Sequence, residues 1–124
     1  MYNPTVIDHF RNPRNVGILP DPDGEGYAEN SACGDATTLY LRVTDGRIAE
    51  ARFRTFGCAA AIAASSALTE MLKGRSVDEA LRIRKEDVAE ALGGLPPTKL
   101  HCSVLAEDAV RAAVDDYRKR LSGA

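Results

Sequence analysis

Three cysteines, one aspartate and one histidine are the residues of this chain best suited to chemistry. Cys33 lies in Ser31-Ala32-Cys33-Gly34-Asp35 and Cys58 in Phe56-Gly57-Cys58-Ala59-Ala60. Cys102 directly follows His101, at the end of Leu95-Pro96-Pro97-Thr98-Lys99-Leu100-His101-Cys102. Soft thiolates with one imidazole or carboxylate suit zinc or an iron–sulfur centre, and do not suit ions that prefer oxygen alone. Cys58 stands where a strand pattern gives way to a helix pattern, and Cys102 where the last helix begins. A helix N-terminus favours the thiolate, the form that binds metal and attacks electrophiles. Gly34 permits a tight turn after Cys33, which brings Asp35 within reach of the same site. Lys99 is either a solvated lysine or a cation beside the thiols, where it would lower their pKa and help hold an anionic cluster.

The spacing leaves three readings open. There is no Cys-x-x-Cys pair, so no zinc-finger or ferredoxin pattern applies. Buried unreactive thiols, a metal or cluster site, and a Cys102–His101 nucleophile all fit the residue types. Neighbouring residues usually point apart, which weakens the third. An odd number of cysteines cannot close into a disulfide framework within one chain. The N-terminal Met1-Tyr2-Asn3-Pro4 has no basic, apolar leader pattern, and the apolar run around Ala59 to Ala64 is too short to span a membrane. A cytoplasmic protein with reduced thiols is therefore expected. Net charge is -2, from 16 Lys+Arg against 18 Asp+Glu, which argues against an electrostatic nucleic-acid binder. The 124 residues, 44% of them hydrophobic, suit one domain spanning 1–124 with a core that needs no staples.

The elements that must position these residues follow from periodicity. Asn3-Pro4 reads as a helix cap and first helical position, with Val6, Ile7 and Phe10 on one face and the helix ending before Asn12-Pro13. His9 on this short helix is expected at the surface or an interface. Asn15 to Gly26, rich in glycine and proline, reads as a mobile, solvated loop, and Gly26 to Ala32 as a short first strand. Thr37 to Val43 alternates with Leu39, Leu41 and Val43 apolar; Arg47 to Thr55 alternates with Ala49, Ala51 and Phe53 apolar. A two-residue Asp45-Gly46 turn would set Leu41 opposite Glu50 and mix the faces. A three-residue loop, Thr44-Asp45-Gly46, sets Leu41 opposite Ala49 and Leu39 opposite Ala51, and is the expected connection. One sheet face is then apolar and needs helices over it.

Cys58 to Leu72 reads as an alanine-rich helix stopped at Lys73-Gly74. Ser76 and Glu79 form a capping-box pattern for a short helix, and Lys85 to Leu92 makes another before Gly93-Gly94. Pro96 and Pro97 exclude helix from Leu95 to Lys99. That stretch is either a rigid connector or an extended segment offered to a partner. The final helix, from about Cys102, carries Ala106, Val110, Val114, Tyr117 and Leu121 on one face. The expected fold is α/β of the α+β type: a three-stranded antiparallel sheet covered by helices, with a long C-terminal helix.

Taken together, the motifs resemble those of the IscU/NifU N-terminal family of iron–sulfur cluster assembly scaffolds. The resemblance runs over nearly the whole chain. It rests on Asp8-His9-Phe10-Arg11-Asn12-Pro13-Arg14-Asn15-Val16-Gly17, Ala32-Cys33-Gly34-Asp35, Phe56-Gly57-Cys58 with Ala61-Ile62-Ala63, Leu95-Pro96-Pro97-Thr98-Lys99, His101-Cys102-Ser103 and Leu105-Ala106-Glu107-Asp108-Ala109. It implies a non-catalytic scaffold that builds a [2Fe–2S] cluster, or a [4Fe–4S] cluster on a dimer, and passes it to apo-proteins. By motif, Cys33, Cys58 and Cys102 are implied ligands, completed by Asp35 or His101. Cys102 is the implied acceptor of persulfide from a cysteine desulfurase, and Asp35 the group that makes the cluster labile. Leu95, Pro96, Pro97, Thr98 and Lys99 are the implied segment for an Hsp70-class chaperone with its J-protein. An iron donor, a ferredoxin and recipient apo iron–sulfur proteins are further implied partners, and a homo-oligomer is compatible. Zinc can occupy the same site, and a zinc-bound sulfur acceptor that relays persulfide without a cluster is the alternative. The chain lacks the insertion typical of that zinc-dependent branch and keeps His101, where that branch differs. Thr98 stands where the family usually has valine, and Ala59-Ala60 where it usually has Gly-Ser. The end at Ala124 gives the expectation of a stand-alone scaffold.

Overall fold

The elements follow the sequence patterns, with the first strand starting at Gly24 rather than the expected Gly26 and one change of register in the sheet. The computed structural model describes residues 2–31 and 34–123. Helix α1 spans Pro4–Arg11; strands β1, β2 and β3 span Gly24–Asn30, Asp35–Thr44 and Arg47–Phe56. Helices α2, α3, α4 and α5 span Ala59–Leu72, Val77–Ala80, Lys85–Ala91 and His101–Ser122. The strands form one antiparallel sheet in the order β1-β2-β3. Helices α2 and α5 lie on its inner face, so the architecture is α+β with a long C-terminal helix.

The β2–β3 hairpin corrects the expected loop. The turn has two residues, Asp45 and Gly46, both with positive φ (53° and 75°), which matches the right-handed twist of the strands. Thr44 pairs with Arg47 and Val43 with Ile48. The register then shifts between Arg42 and Val43, so Arg42 pairs with Glu50, Leu41 with Ala51 and Leu39 with Phe53. The extra residue demanded by the pleat sits in a bulge at Ala49 rather than in the loop. The reason is packing: the bulge turns the larger Ile48 into the core, fully buried, and leaves Ala49 exposed.

The inner face joins Leu39, Leu41, Ile48, Ala51 and Phe53 to an alanine-rich side of α2 and to Ala106, Ala109, Val110, Ala113 and Val114 of α5. Small side chains let both helices approach the sheet closely. Each large residue buried there contributes about 1.5–3 kcal/mol. Tyr117 is only partly buried and Leu121 is exposed, so the predicted apolar face of α5 leaves the core in its last turns. The Ser76/Glu79 capping box closes in both directions and starts α3 as expected.

Two expectations fail for tertiary reasons. The segment from Asn15 to Gly26 is built into the rim of the sheet. The Gly17 amide donates to the Phe53 carbonyl (2.9 Å) and the Phe53 amide to that of Asn15 (3.0 Å), so this segment covers part of the free edge of β3. Leu19 is buried, and the Arg42 guanidinium donates to the carbonyls of Pro20 and Asp21. His9 is buried rather than exposed, with Nδ1 2.8 Å from Ser66 Oγ on α2. The exclusion of helix from Leu95 to Lys99 also needs correcting: Pro97–Lys99 forms a single 3-10 turn, with Pro97 at its first position, where a missing N–H costs nothing. Among the described residues, no helix is long and apolar enough to cross a membrane.

Candidate metal centre

Three ends of the fold meet at one point: the start of β2, the start of α2 and the start of α5. Asp35 is the first residue of β2, Cys58 is the N-cap of α2, and His101 and Cys102 open α5. Ligand-type atoms of Asp35, Cys58 and Cys102 all lie within 4.8 Å of one another. The two sulfurs are 3.7 Å apart, and Cys58 Sγ is 3.8 Å from Asp35 Oδ2. His101 Nε2 is 3.3 Å from Asp35 Oδ2 and 3.6 Å from Cys102 Sγ. Cys33, the third thiol of the sequence reading, lies outside the described residues.

Asp35 is the hinge of this arrangement. Its Oδ1 accepts the Cys58 backbone amide at 3.1 Å, an N–H that points out of the helix start. A carboxylate placed there also meets the positive end of the α2 dipole. Its Oδ2 is thereby turned toward the thiols and His101. Asp35 and Cys102 are almost wholly buried (2% and 1% exposed), whereas Cys58 is half-buried and the His101 side chain is 24% exposed. The centre is therefore open on the Cys58–His101 side. The exposed apolar residues Phe56 and Leu100 stand two residues before Cys58 and one before His101 in the chain.

The electrostatics correct the expectation that a helix start makes Cys102 a ready thiolate. Burial, and then the neighbouring Cys58, push the Cys102 thiol far above the usual range; Asp35 adds to this and Lys99 opposes it. Desolvation outweighs the dipole at this depth. A cation placed among these donors would reverse the balance, because thiolate ligands are deprotonated on binding. Lys99 is held above its ordinary pKa, first by Cys58, then by Tyr2, with Cys102 and Asp35 adding and partial burial opposing. Its ammonium group thus lies within electrostatic reach of the sulfurs. Two thiols, a carboxylate and an adjacent imidazole form a donor set that fits zinc or an iron–sulfur cluster.

Two contributors were not singled out by sequence reasoning. Gly57, quoted only as part of a motif, lies against the Asp35 carboxylate. A hydroxyl triangle of Thr37, Thr55 and Ser65, with oxygens 2.8–3.2 Å apart, pins β2, β3 and α2 together beside the centre. The signal for Gly57 was its place between a strand end and a candidate ligand. The triangle joins residues far apart in sequence and left no local signal. The Leu95–Lys99 segment, in contrast, is next to the centre in sequence and partly exposed, with Pro97 and Thr98 open to solvent.

A small sheet backed by two helices gathers ligand-type residues where three elements begin, a donor set that could hold a metal ion or cluster. Comparison with known proteins agrees. The chain matches the family model described as "NifU-like N terminal domain" over residues 1–123. It is 57% identical over 120 residues to iron-sulfur cluster assembly scaffold protein IscU 1 of Archaeoglobus fulgidus, covering 97% of this chain and 78% of that protein. It is 51% identical over 123 residues to iron-sulfur cluster assembly scaffold protein IscU of Escherichia coli K12, covering 96% and 95%. A crystal structure from Fervidobacterium islandicum, titled a putative iron-sulfur cluster assembly scaffold protein for the SUF system, shares the fold at a TM-score of 0.79. It is 19% identical and covers 91% of this chain and 96% of that one. The chain belongs to the NifU-like N-terminal domain family and is IscU-like over nearly its whole length.

Proposed function

We propose that this protein is a scaffold on which an iron–sulfur cluster is built as cargo and from which it is handed to recipient apo-proteins. One observation carries the reading: Asp35, Cys58 and Cys102 bring ligand-type atoms within 4.8 Å of one another at the converging starts of three elements. In this reading Cys58 and Cys102 hold the iron of a [2Fe–2S] cluster together with Cys33. Asp35 or His101 supplies the fourth position. A carboxylate or imidazole in place of a fourth thiolate weakens the site, and the open Cys58–His101 side admits incoming groups. Both features suit a carrier that must release what it binds. A [4Fe–4S] cluster on a dimer belongs to the same reading.

Sulfur arrives as the persulfide of a cysteine desulfurase. Once the start of α5 opens and water reaches Cys102, its thiol releases its proton to solvent; the thiolate attacks the outer sulfur, a new S–S bond forms on Cys102, and the donor's S–S bond breaks to leave its cysteine as a thiolate. Cys102 is only 1% exposed, so delivery requires the start of α5 to open. Iron comes from an iron donor and electrons from a ferredoxin. The Leu95–Lys99 segment is the docking site for an Hsp70-class chaperone and its J-protein. A second reading rests on the same compact donor set, which also suits a single tetrahedral zinc ion. The protein would then relay persulfide without holding a cluster.

Anaerobic reconstitution with iron, cysteine and a cysteine desulfurase separates the two. The expected result is a [2Fe–2S] visible and Mössbauer signature that moves to an apo-ferredoxin. A colourless protein that retains zinc yet accepts persulfide on Cys102 would establish the relay instead. In the scaffold reading, Asp35→Ala lengthens the lifetime of the bound cluster by about tenfold, the scale on which groups around a metal act.

A further inference from the structure

We propose that Gly57 is a positioning residue: by presenting no side chain, it seats the Asp35 carboxylate on the Cys58 amide and aims the second carboxylate oxygen into the thiol site. The consequence for cluster release rests on the function proposed above; the seat itself does not.

The argument begins at the turn between β3 and α2. Gly57 has φ +151°, a conformation that side chains rarely adopt. That alone would account for a glycine. The surroundings add a second demand. A Cβ at Gly57 would overlap Asp35 Oδ1 and lie 2.8 Å from its Cγ and 3.1 Å from its Cβ. The collision is with a carboxylate that is 2% exposed, along nearly its whole length.

Neither backbone can move aside easily. Asp35 is paired with Asn30 of β1, and two residues later Thr37 enters the hydroxyl triangle. Thr55 ties β3 into that triangle two residues before Gly57. Ser65 ties in α2 and also donates to the Ala61 carbonyl, in the first turn of that helix. With strands and helix locked on both sides, the Asp35 side chain must yield. Its rotation breaks the 3.1 Å bond to the Cys58 amide and carries Oδ2 away from His101 Nε2 and Cys58 Sγ. A methyl group at position 57 therefore does to the site what removal of the Asp35 carboxylate does.

A double-substitution cycle in the metal-free protein separates the two demands on Gly57. The cost of the unusual φ is the same whatever stands at position 35, while the collision exists only with aspartate present. Gly57→Ala is expected to lower the melting temperature several degrees more in the native background than in Asp35→Ala. If Gly57→Ala alone fails to fold while Gly57→Ala/Asp35→Ala folds, the seat stands. Equal penalties in both backgrounds would overturn it. The Cys58 amide proton gives an independent reading by NMR. Bonded to a carboxylate, it resonates downfield, and it should move upfield alike in Asp35→Ala and Gly57→Ala. A Cys58 amide that shifts in Asp35→Ala but not in Gly57→Ala would remove the positioning role. On reconstituted protein, Gly57→Ala should lengthen cluster lifetime about tenfold, as Asp35→Ala does. An unchanged lifetime with a displaced Cys58 amide would keep the seat and overturn the releasing role of Asp35.

Discussion

Two polar clusters sit on α2, each holding one of the two histidines, and they are bonded very differently. Around His9 the principal side-chain contacts are short, with Arg14 Nη1 the one buried side-chain nitrogen or oxygen among the described residues that lacks a partner. Ser66 Oγ is 2.8 Å from His9 Nδ1 and accepts the Arg14 amide at 2.9 Å, while Asn15 Nδ2 donates to Thr69 Oγ1 at 3.1 Å. Ser66 thus bridges the His9 ring and the Arg14 backbone, while His9 Nε2 lies 3.8 Å from Glu70. Around His101 the contacts run from 3.3 to 3.8 Å, apart from the one that seats Asp35 on the Cys58 amide. A network that has found nearly all its partners within the chain is structural. A set of donors converging without closing on one another has capacity left for something else.

Substitutions should divide along that line. The largest effect is expected at the open cluster. Cys58→Ala removes one proposed soft ligand and should weaken binding of cobalt(II) or zinc(II) by roughly a hundredfold, as one share of a multi-ligand site. The melting point of the metal-free protein should barely move, because the Cys58 backbone keeps its bond to Asp35. Metal titration with a chromophoric competitor, beside calorimetry, checks both halves. The next effect belongs to the closed cluster. Ser66→Ala strands the His9 ring nitrogen and the Arg14 amide, which should cost roughly 2 kcal/mol in denaturant unfolding. It should leave the metal affinity within about twofold. A Ser66→Ala protein of native stability, or a Cys58→Ala protein that binds metal as before, would abolish the distinction.

The same contrast explains what could be read in advance. The elements were legible because each has a local signature: Asn3-Pro4 for α1, the capping box for α3, the alternation in β2, the spacing of Ala106, Val110 and Val114 in α5. The centre was legible because its residue types are chemically unusual and sit at element starts. The β3 register was not. Face parity is satisfied equally well by a longer loop or by a bulge, and only the burial of Ile48 against helices far away in sequence selects the bulge. Nor could the burial of His9 be read, since its partner Ser66 lies 57 residues further on. The thiol chemistry of Cys102 was misjudged because a helix start is visible in sequence, while the desolvation that overrides it depends on depth.

The smallest effect, and the subtlest test of the comparison, is the pH dependence of the closed cluster. Burial is the main cause that holds His9 below its ordinary value of 6.5; Arg14 acts the same way, while Glu70 and Asp8 oppose. The folded protein therefore favours the neutral ring, and the unfolded chain binds the proton more tightly. Stability should be level above the ordinary histidine pKa and decline as pH falls below it, because each step downward favours the state that takes up the proton. His9→Gln cannot titrate, so its denaturation midpoint should fall less steeply between pH 7 and pH 5 than that of the native protein. The difference between the two slopes isolates the contribution of His9 from every carboxylate they share. Parallel slopes would mean that the His9 ring finds compensation for its charge inside the fold, from Glu70 above all, and that the closed cluster is less closed than its distances imply.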